Sequence, residues 1–406
     1  MLRPRPGRSR PGPDHRTRRP PTATITDVLT ERLLLGSGPS PVPQRVLDAL
    51  ARPPLGHLDP AFGEVMDEVG ELLRATFRAN NRTAYPVSAT GSGGMQTMVD
   101  NLIHPGDRVV CGVHGMFGER MADALTRRGA DVVRVDGEWG RAIPTERLLD
   151  AAREPFAALF VVHGETSTGI VQPLDALAEA CAQHGALLLI DCVTSLAGHP
   201  LDLDAAGVDA AFSGSQKCLN CPAGLAPFTA NDRALERVQG SPSWFFDLNA
   251  VMGYWKPTPP AGSARAYHHT APTNMVVALR EALRIVQEEG LEPRWARHEK
   301  AHEALRRALA EFGFERIAPD GEHLYPLLAM RLPDGVEDAP TRRALLTEHG
   351  IEVAAASGPF ANQAWRIGVM GEGAKPEPQE RLIAAVAQLL GREARPALDA
   401  LADGWA

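Results

Sequence analysis

The chain lacks an even, clustered set of cysteines: its five, Cys111, Cys181, Cys192, Cys218 and Cys221, are scattered through 406 residues. That excludes a disulfide framework and points to a reducing compartment, the cytoplasm. Long apolar runs are also missing. The longest, around Phe156 to Val162, is about seven residues, far short of the roughly 20 needed to cross a bilayer, so no membrane partner is expected. No secretory segment precedes the body, because Arg3 to Pro21 is rich in Pro, Gly and Arg and carries no apolar stretch. Its prolines also prevent the amphipathic helix of a transit peptide, and residues 1–30 read as a disordered basic tail. The first nineteen residues hold seven arginines and one aspartate, so the remainder is strongly acidic within a total of −8. An acidic body argues against nucleic acid as a partner.

What is present is a chain with 44% hydrophobic residues, enough for a large core and two or three domains. Runs such as Arg108–Gly112, Asp131–Val135, Ala157–Val162 and Ala186–Ile190 alternate with helical periodicity, the pattern of a parallel sheet with helical cover. The expected division is a large domain over 31–290, a smaller C-terminal α/β domain over 291–395 and a tail over 396–406. Ser241–Arg265, with Trp244, Phe245, Phe246, Tyr254 and Trp255 among prolines and glycines, reads as a loop packed against a partner subunit.

Two strand ends carry the chemistry. Ala186–Ile190 has the apolar density of a buried parallel strand and delivers Asp191 at the carboxyl edge, where α/β sheets present their sites. The next apolar run ends before Ser213-Gly214-Ser215-Gln216-Lys217, which sets a lysine on a turn. A carboxylate and a lysine so placed suit pyridoxal phosphate: the amine condenses with the cofactor aldehyde, and the carboxylate keeps the pyridine nitrogen protonated. Thr90-Gly91-Ser92-Gly93-Gly94, opening into a helix expected from Met95, leaves unpaired amides at a positive helix end and reads as the phosphate cradle. Thr166 is placed near the ring hydroxyl, and Val193 beneath the ring. Arg366, flanked by apolar strand residues, needs an anion, and a substrate carboxylate would supply one bidentately.

These segments, with His163-Gly164-Glu165-Thr166-Ser167-Thr168-Gly169, Asp191-Cys192-Val193-Thr194-Ser195, Tyr267-His268-His269-Thr270 and Trp365-Arg366-Ile367-Gly368, resemble the class V, fold-type I aminotransferases, within them the alanine–glyoxylate and serine–glyoxylate branch. The resemblance runs from about residue 35 to about residue 390 in the family's order and spacing. It implies a fold-type I transferase with a mainly parallel, seven-stranded sheet, and an amino group moved from alanine or serine to a 2-oxo acid such as glyoxylate or pyruvate. It also implies catalysis by Lys217 and Asp191, with Gln216 among the cofactor contacts and Phe117 stacked on the pyridine ring. Ser37 and Gly38 would lie at the substrate mouth. Tyr267 and Thr270 would reach the partner's phosphate in a homodimer with composite sites. Gly93 and Gly94 depart from the family's bulkier residues, which leaves a specialised transaminase with another amine substrate as an alternative. A cysteine desulfurase fits less well, since Gln216 and Phe117 stand where that group typically has histidines. No metal is expected: neither Cys218-x-x-Cys221 nor His268-His269 has further ligands at suitable spacing.

Overall fold

The computed structural model describes residues 31–255 and 265–406, so the basic tail expected over 1–30 lies outside the described residues. A seven-stranded sheet is built from β1 (Thr83–Val87), β2 (Arg108–Val113), β3 (Asp131–Asp136), β4 (Ala158–Val162), β5 (Leu187–Asp191), β6 (Ala210–Phe212) and β7 (Ala226–Ala230). Its spatial order is β1-β7-β6-β5-β4-β2-β3, with β7 antiparallel to both neighbours and the β6-β5-β4-β2-β3 pairings all parallel. Every residue of β4 and β5 is buried. Helices cover both faces of a parallel sheet, and this is why those strands read as unbroken apolar runs rather than alternating ones.

Helices α1 (Pro60–Phe77), α2 (Gly91–Leu102) and α3 (Met116–Arg128) cover this sheet, and α4 (Thr273–Glu289) packs on α1. In α1 the Asp59 carboxylate accepts the Ala61 amide at 2.8 Å, and Pro60 holds a position whose N–H would be unpaired anyway. Phe62, Val65, Met66, Val69, Leu73 and Phe77 then recur at helical spacing and are all buried. Each large side chain so buried stabilises the fold by roughly 1.5–3 kcal/mol.

Helix α5 (Leu291–Ala310) belongs to two cores: Leu291 and Trp295 join the first, Ala301, Ala304 and Leu305 the second. The second core lies against a four-stranded antiparallel sheet of β8 (Glu315–Arg316), β9 (Leu327–Arg331), β10 (Ala354–Ala355) and β11 (Ala364–Gly368), in the order β8-β9-β11-β10. Leu35, from the segment that precedes the large sheet in sequence, is buried in this second core, and Leu33–Leu34 pairs in parallel with Ile351–Glu352. The amino-terminal arm is thereby fastened to the second core before Ser40 reaches the lysine turn.

Two expectations are corrected. Residues 395–405 are not a tail but helix α6 (Arg395–Trp405), because Ala397 and Leu401, four apart, give it one apolar stripe that is buried against the second core. Contact with α5 is close enough that a Cβ at Gly404 would lie 2.6 Å from the Ala304 Cα. The aromatic segment after Ser241 is not simply a loop either: Trp244–Phe246 form a short 3-10 turn and Leu248–Trp255 a helix that buries Leu248, Val251, Tyr254 and Trp255.

Candidate active site

The carboxyl ends of the strands converge on one cleft. Thr90, Gly91 and Ser92 follow β1, Phe117 follows β2, Asp191 and Val193 mark the end of β5, and Gln216 and Lys217 follow β6. Asp191 is in register with Phe212 across adjacent parallel strands, so the carboxylate and the lysine issue from neighbouring strand ends. Met95, Arg120 and Phe212 line the same cleft and were not singled out from the sequence. Arg120 stands one helical turn after Phe117, with its guanidinium 4.9 Å from that ring's centre and 3.3 Å from the Ser92 hydroxyl. Its place on the face shared with Phe117 was the available signal.

Burial sets the electrostatics of the pair. Asp191 is 5% exposed, and its Oδ1 accepts the Val193 amide at 2.8 Å. Burial, with the buried Glu165 adding repulsion, pushes its pKa up to about 7, against the Val193 hydrogen bond and the charges of Lys217 and Arg120. A cationic N–H beside this carboxyl would hold it ionised. Lys217 is 7% exposed, and burial, reinforced by Arg366, pulls its amine down to about 8 despite the opposing pull of Cys218 and Asp191. Its Nζ donates to the Ser37 carbonyl. Gly38, at φ +106°, presses on the same side chain: a Cβ there would meet Lys217 Cδ at 2.8 Å and Nζ at 2.9 Å. Only glycine satisfies both the backbone and the lysine at this position.

Helix α2 begins at Gly91 rather than at Met95, so the glycine-rich stretch is itself the first turn. The amides of Gly91 and Ser92 head the helix with no carbonyl within it to bond. Gly93 and Gly94 do not line the cleft. A Cβ on Gly94 would lie 3.0 Å from the Phe212 and Ala226 Cβ atoms on the sheet, and one on Gly93 would lie 2.3 Å from Ala89 Cβ in the preceding turn, so close packing accounts for both. Glu165, fully buried, accepts the Phe117 amide at 3.1 Å, the Ser167 amide at 2.9 Å and the Ser167 hydroxyl at 2.6 Å. It caps α3 and thereby holds the backbone from which the Phe117 ring projects.

Arg366 reaches toward this region from β11. Its Nε donates to the Ala355 carbonyl at 2.8 Å and its Nη1 to the Thr166 carbonyl at 3.4 Å, and no carboxylate pairs with it within 4 Å among the described residues. The Thr166 hydroxyl is buried against that of Thr194 and does not line the cleft. Tyr267 and Thr270 are exposed and stand outside the cleft of their own chain. Cys218 and Cys221 are buried free thiols that burial pushes up to about 12. Among the described residues, His302, Glu303 and His323 bring ligand atoms within 4.8 Å of one another, but the Glu303 oxygens are engaged by Arg316 at 2.5 Å and Arg306 at 2.7 Å.

The residues present fit pyridoxal phosphate: one buried amine, one buried carboxylate on the next strand, an amide-lined helix head, and a buried Gln216 Oε1 with no partner. Comparison with known proteins gives the same cofactor. The model of the family "Aminotransferase class-V" matches residues 32–363. The chain is 34% identical over 400 residues to (S)-ureidoglycine–glyoxylate transaminase of Bacillus subtilis, covering 92% of this chain and 95% of that protein. It is 34% identical over 378 residues to alanine–glyoxylate aminotransferase of Oryctolagus cuniculus, covering 91% and 96%. Among solved structures, alanine–glyoxylate aminotransferase from Nostoc sp. superposes with a TM-score of 0.86 at 42% identity over 93% of this chain and 98% of that one. With its fold, its lysine–aspartate pair and these relatives in agreement, the chain belongs to the class V aminotransferases and is a pyridoxal-phosphate-dependent transaminase of fold type I.

Proposed function

We propose that the protein moves the amino group of a small amino acid, alanine or serine, to a 2-oxo acid, with glyoxylate as the favoured acceptor and pyruvate as a second. The observation that carries this reading is the Arg366 guanidinium, which bonds two backbone carbonyls but keeps Nη2 free of any carboxylate within 4 Å among the described residues, and whose charge helps lower the Lys217 amine. One cation for an α-carboxylate and one amine for the α-carbon are the two groups an α-amino acid needs. Glyoxylate is favoured because it is named in both relatives, whose amino donors differ. The donor therefore has a second candidate, (S)-ureidoglycine, supported by the Bacillus subtilis relative.

When bound, pyridoxal phosphate supplies an electron sink for the charge left at the substrate Cα. Lys217, its amine pulled down to about 8 by burial, would take the Cα proton of a bound substrate. Asp191 would hold the ring nitrogen's positive charge, which in turn would keep the buried carboxyl ionised. Arg366 receives the α-carboxylate in its planar fork. The backbone of Ser37 and Gly38 walls the mouth above Lys217 and excludes bulk from it. The amides at Gly91 and Ser92, with the Ser92 hydroxyl, would hold the phosphate.

The working unit is a homodimer. Trp244 is 63% exposed and Tyr267 61%, an aromatic surface beside a site whose own chain does not use Tyr267 or Thr270. Five buried, unpaired cysteines suit a reducing cytoplasm. Among the described residues no helix is long and apolar enough to cross a membrane. The test is a coupled assay of alanine, serine, (S)-ureidoglycine and other amines against glyoxylate and pyruvate. Turnover with alanine or serine and glyoxylate supports the reading; amino transfer from none of them refutes it.

A further inference from the structure

Beneath the lysine turn lies a buried polar joint that the chemistry above does not use. Asn220 is 2% exposed and holds a left-handed backbone, φ 52°, unusual for a residue other than glycine. Its Nδ2 donates to Ser40 Oγ at 2.9 Å, to the Pro41 carbonyl at 2.9 Å and to the Met370 carbonyl at 3.2 Å. Its Oδ1 accepts Arg294 Nη2 at 3.1 Å, and its amide bonds the Lys217 carbonyl at 3.0 Å. One side chain thus joins the arm, the lysine turn, the interdomain helix α5 and the segment that leaves the Arg366 strand.

The partners are themselves fixed. Ser40 donates its amide to the Gln216 carbonyl at 2.9 Å and its hydroxyl to the Lys217 carbonyl at 2.7 Å. Arg294 also donates to the Cys218 carbonyl at 2.5 Å. The Gly371 amide donates to His298 Nε2 at 2.9 Å, while His298 Nδ1 bonds the Arg294 carbonyl at 2.7 Å. Gly371 fits closely over the joint: a Cβ there would lie 1.4 Å from Asn220 Oδ1, and its φ of +53° suits glycine. The arm is also tied to the end of β11, since the Gly368 amide donates to the Leu35 carbonyl at 2.9 Å. Lys217 and Arg366 are therefore carried by separate sheets, and Asn220 bonds directly to the loop of one and the strand exit of the other.

We propose that Asn220 is a positioning residue that sets the separation of Lys217 from Arg366, and so matches the site to substrates bearing amine and carboxylate on one carbon. This rests on the transaminase reading above with Arg366 as carboxylate ligand. A substrate held at both ends needs the separation; an amine with no carboxylate, held only at the lysine end, does not.

Asn220→Gly is the variant of choice, because it keeps the left-handed backbone unstrained and deletes every amide side-chain contact. In the holoenzyme, kcat/KM for alanine should fall about 100-fold, the effect of a misplacement near 1 Å, while that for ethylamine stays within about twofold of its wild-type value. A parallel fall for both amines, or no fall for alanine, overturns the proposal. A second measurement needs no turnover and separates this inference from the transaminase reading. In the full-length apoenzyme, the pH dependence of Lys217 acetylation by acetic anhydride, read by peptide mass spectrometry, reports the amine pKa. Removing Arg366 from its place should shift that pKa upward in Asn220→Gly; an unshifted profile overturns the positioning role even if wild-type transamination is absent. Asn220→Asp, which keeps the shape and the Arg294 contact but loses the donors to Ser40, Pro41 and Met370, should show both effects in the same direction.

Discussion

Replacing Arg366 by lysine keeps a positive charge in place and removes the fork. In the structure the guanidinium spends Nε on Ala355 and one Nη1 proton on Thr166, which leaves Nη2 and the rest of Nη1 for an incoming anion. A lysine ammonium on a flexible stem cannot hold the Ala355 carbonyl and still present two parallel donors, so a bidentate contact becomes a single hydrogen bond. The loss is that of one hydrogen bond to a charged group, roughly 1.5–3 kcal/mol, or on the order of 10- to 150-fold at about 1.4 kcal/mol per decade. Steady-state kinetics with alanine and glyoxylate will show where the loss falls. If the contact is equally strong in ground and transition states, KM rises and kcat holds; if the carboxylate also orients the Cα–H bond, kcat falls as well. Ethylamine should be indifferent to the substitution. Unchanged alanine kinetics together with a lowered melting temperature would show that Arg366 serves the fold and not the substrate.

Further outcomes follow from the same geometry. The chain has four lysines, Lys217, Lys256, Lys300 and Lys375, and borohydride reduction of the yellow holoenzyme should fix the cofactor to the Lys217 peptide; label on another lysine would end the assignment. Asp191→Ala should lower turnover by several orders of magnitude while cofactor remains bound, because the ring nitrogen loses its counter-charge, and near-normal turnover would contradict that role. Mixing inactive Lys217→Ala chains with inactive Tyr267→Ala, Thr270→Ala chains should restore part of the activity, whereas a fully active monomer in sedimentation experiments would rule out composite sites. His114 and His163 are buried, and burial lowers each to about 4. The unfolded chain takes up these protons first, so stability is lost as pH falls from about 6.5 to 4, by up to roughly 3 kcal/mol per histidine. Denaturant melts of His114→Asn across that range should show a shallower decline, and an unchanged slope would refute the assignment.

Much of this was legible because the strands that carry the site are buried on both faces. The run ending at Asp191 could only be a central parallel strand, and the lysine turn followed from the next apolar run. β7 was not legible: its Pro227 argues against a central strand. In the structure Pro227 faces Pro86 across β1 and β7, and its carbonyl turns the other way to accept the Ser213 amide at 2.7 Å, so neither ring displaces a hydrogen bond between those two strands. Arg120 and Asn220 escaped for another reason. One is an ordinary arginine on an amphipathic helix and the other a short polar residue in a turn, and only the approach of distant segments gives either a partner. The setting of the glycine pair in α2 was hidden likewise, because sequence shows an absent side chain but not the neighbour that excludes it.

The contact between Lys217 and the Ser37 carbonyl gives the amine a berth. A carbonyl oxygen only accepts, so it can hold the nitrogen whether neutral or protonated, and the lysine has somewhere to rest whenever its covalent engagement is broken. The berth belongs to the arm, which is anchored on the second core through Leu35. Any displacement of that arm unmoors the amine at the same time as it opens the mouth. Admission of substrate and mobility of the nucleophile are thus governed by one peptide segment, and Gly38 is the point at which a single added methyl group would jam both.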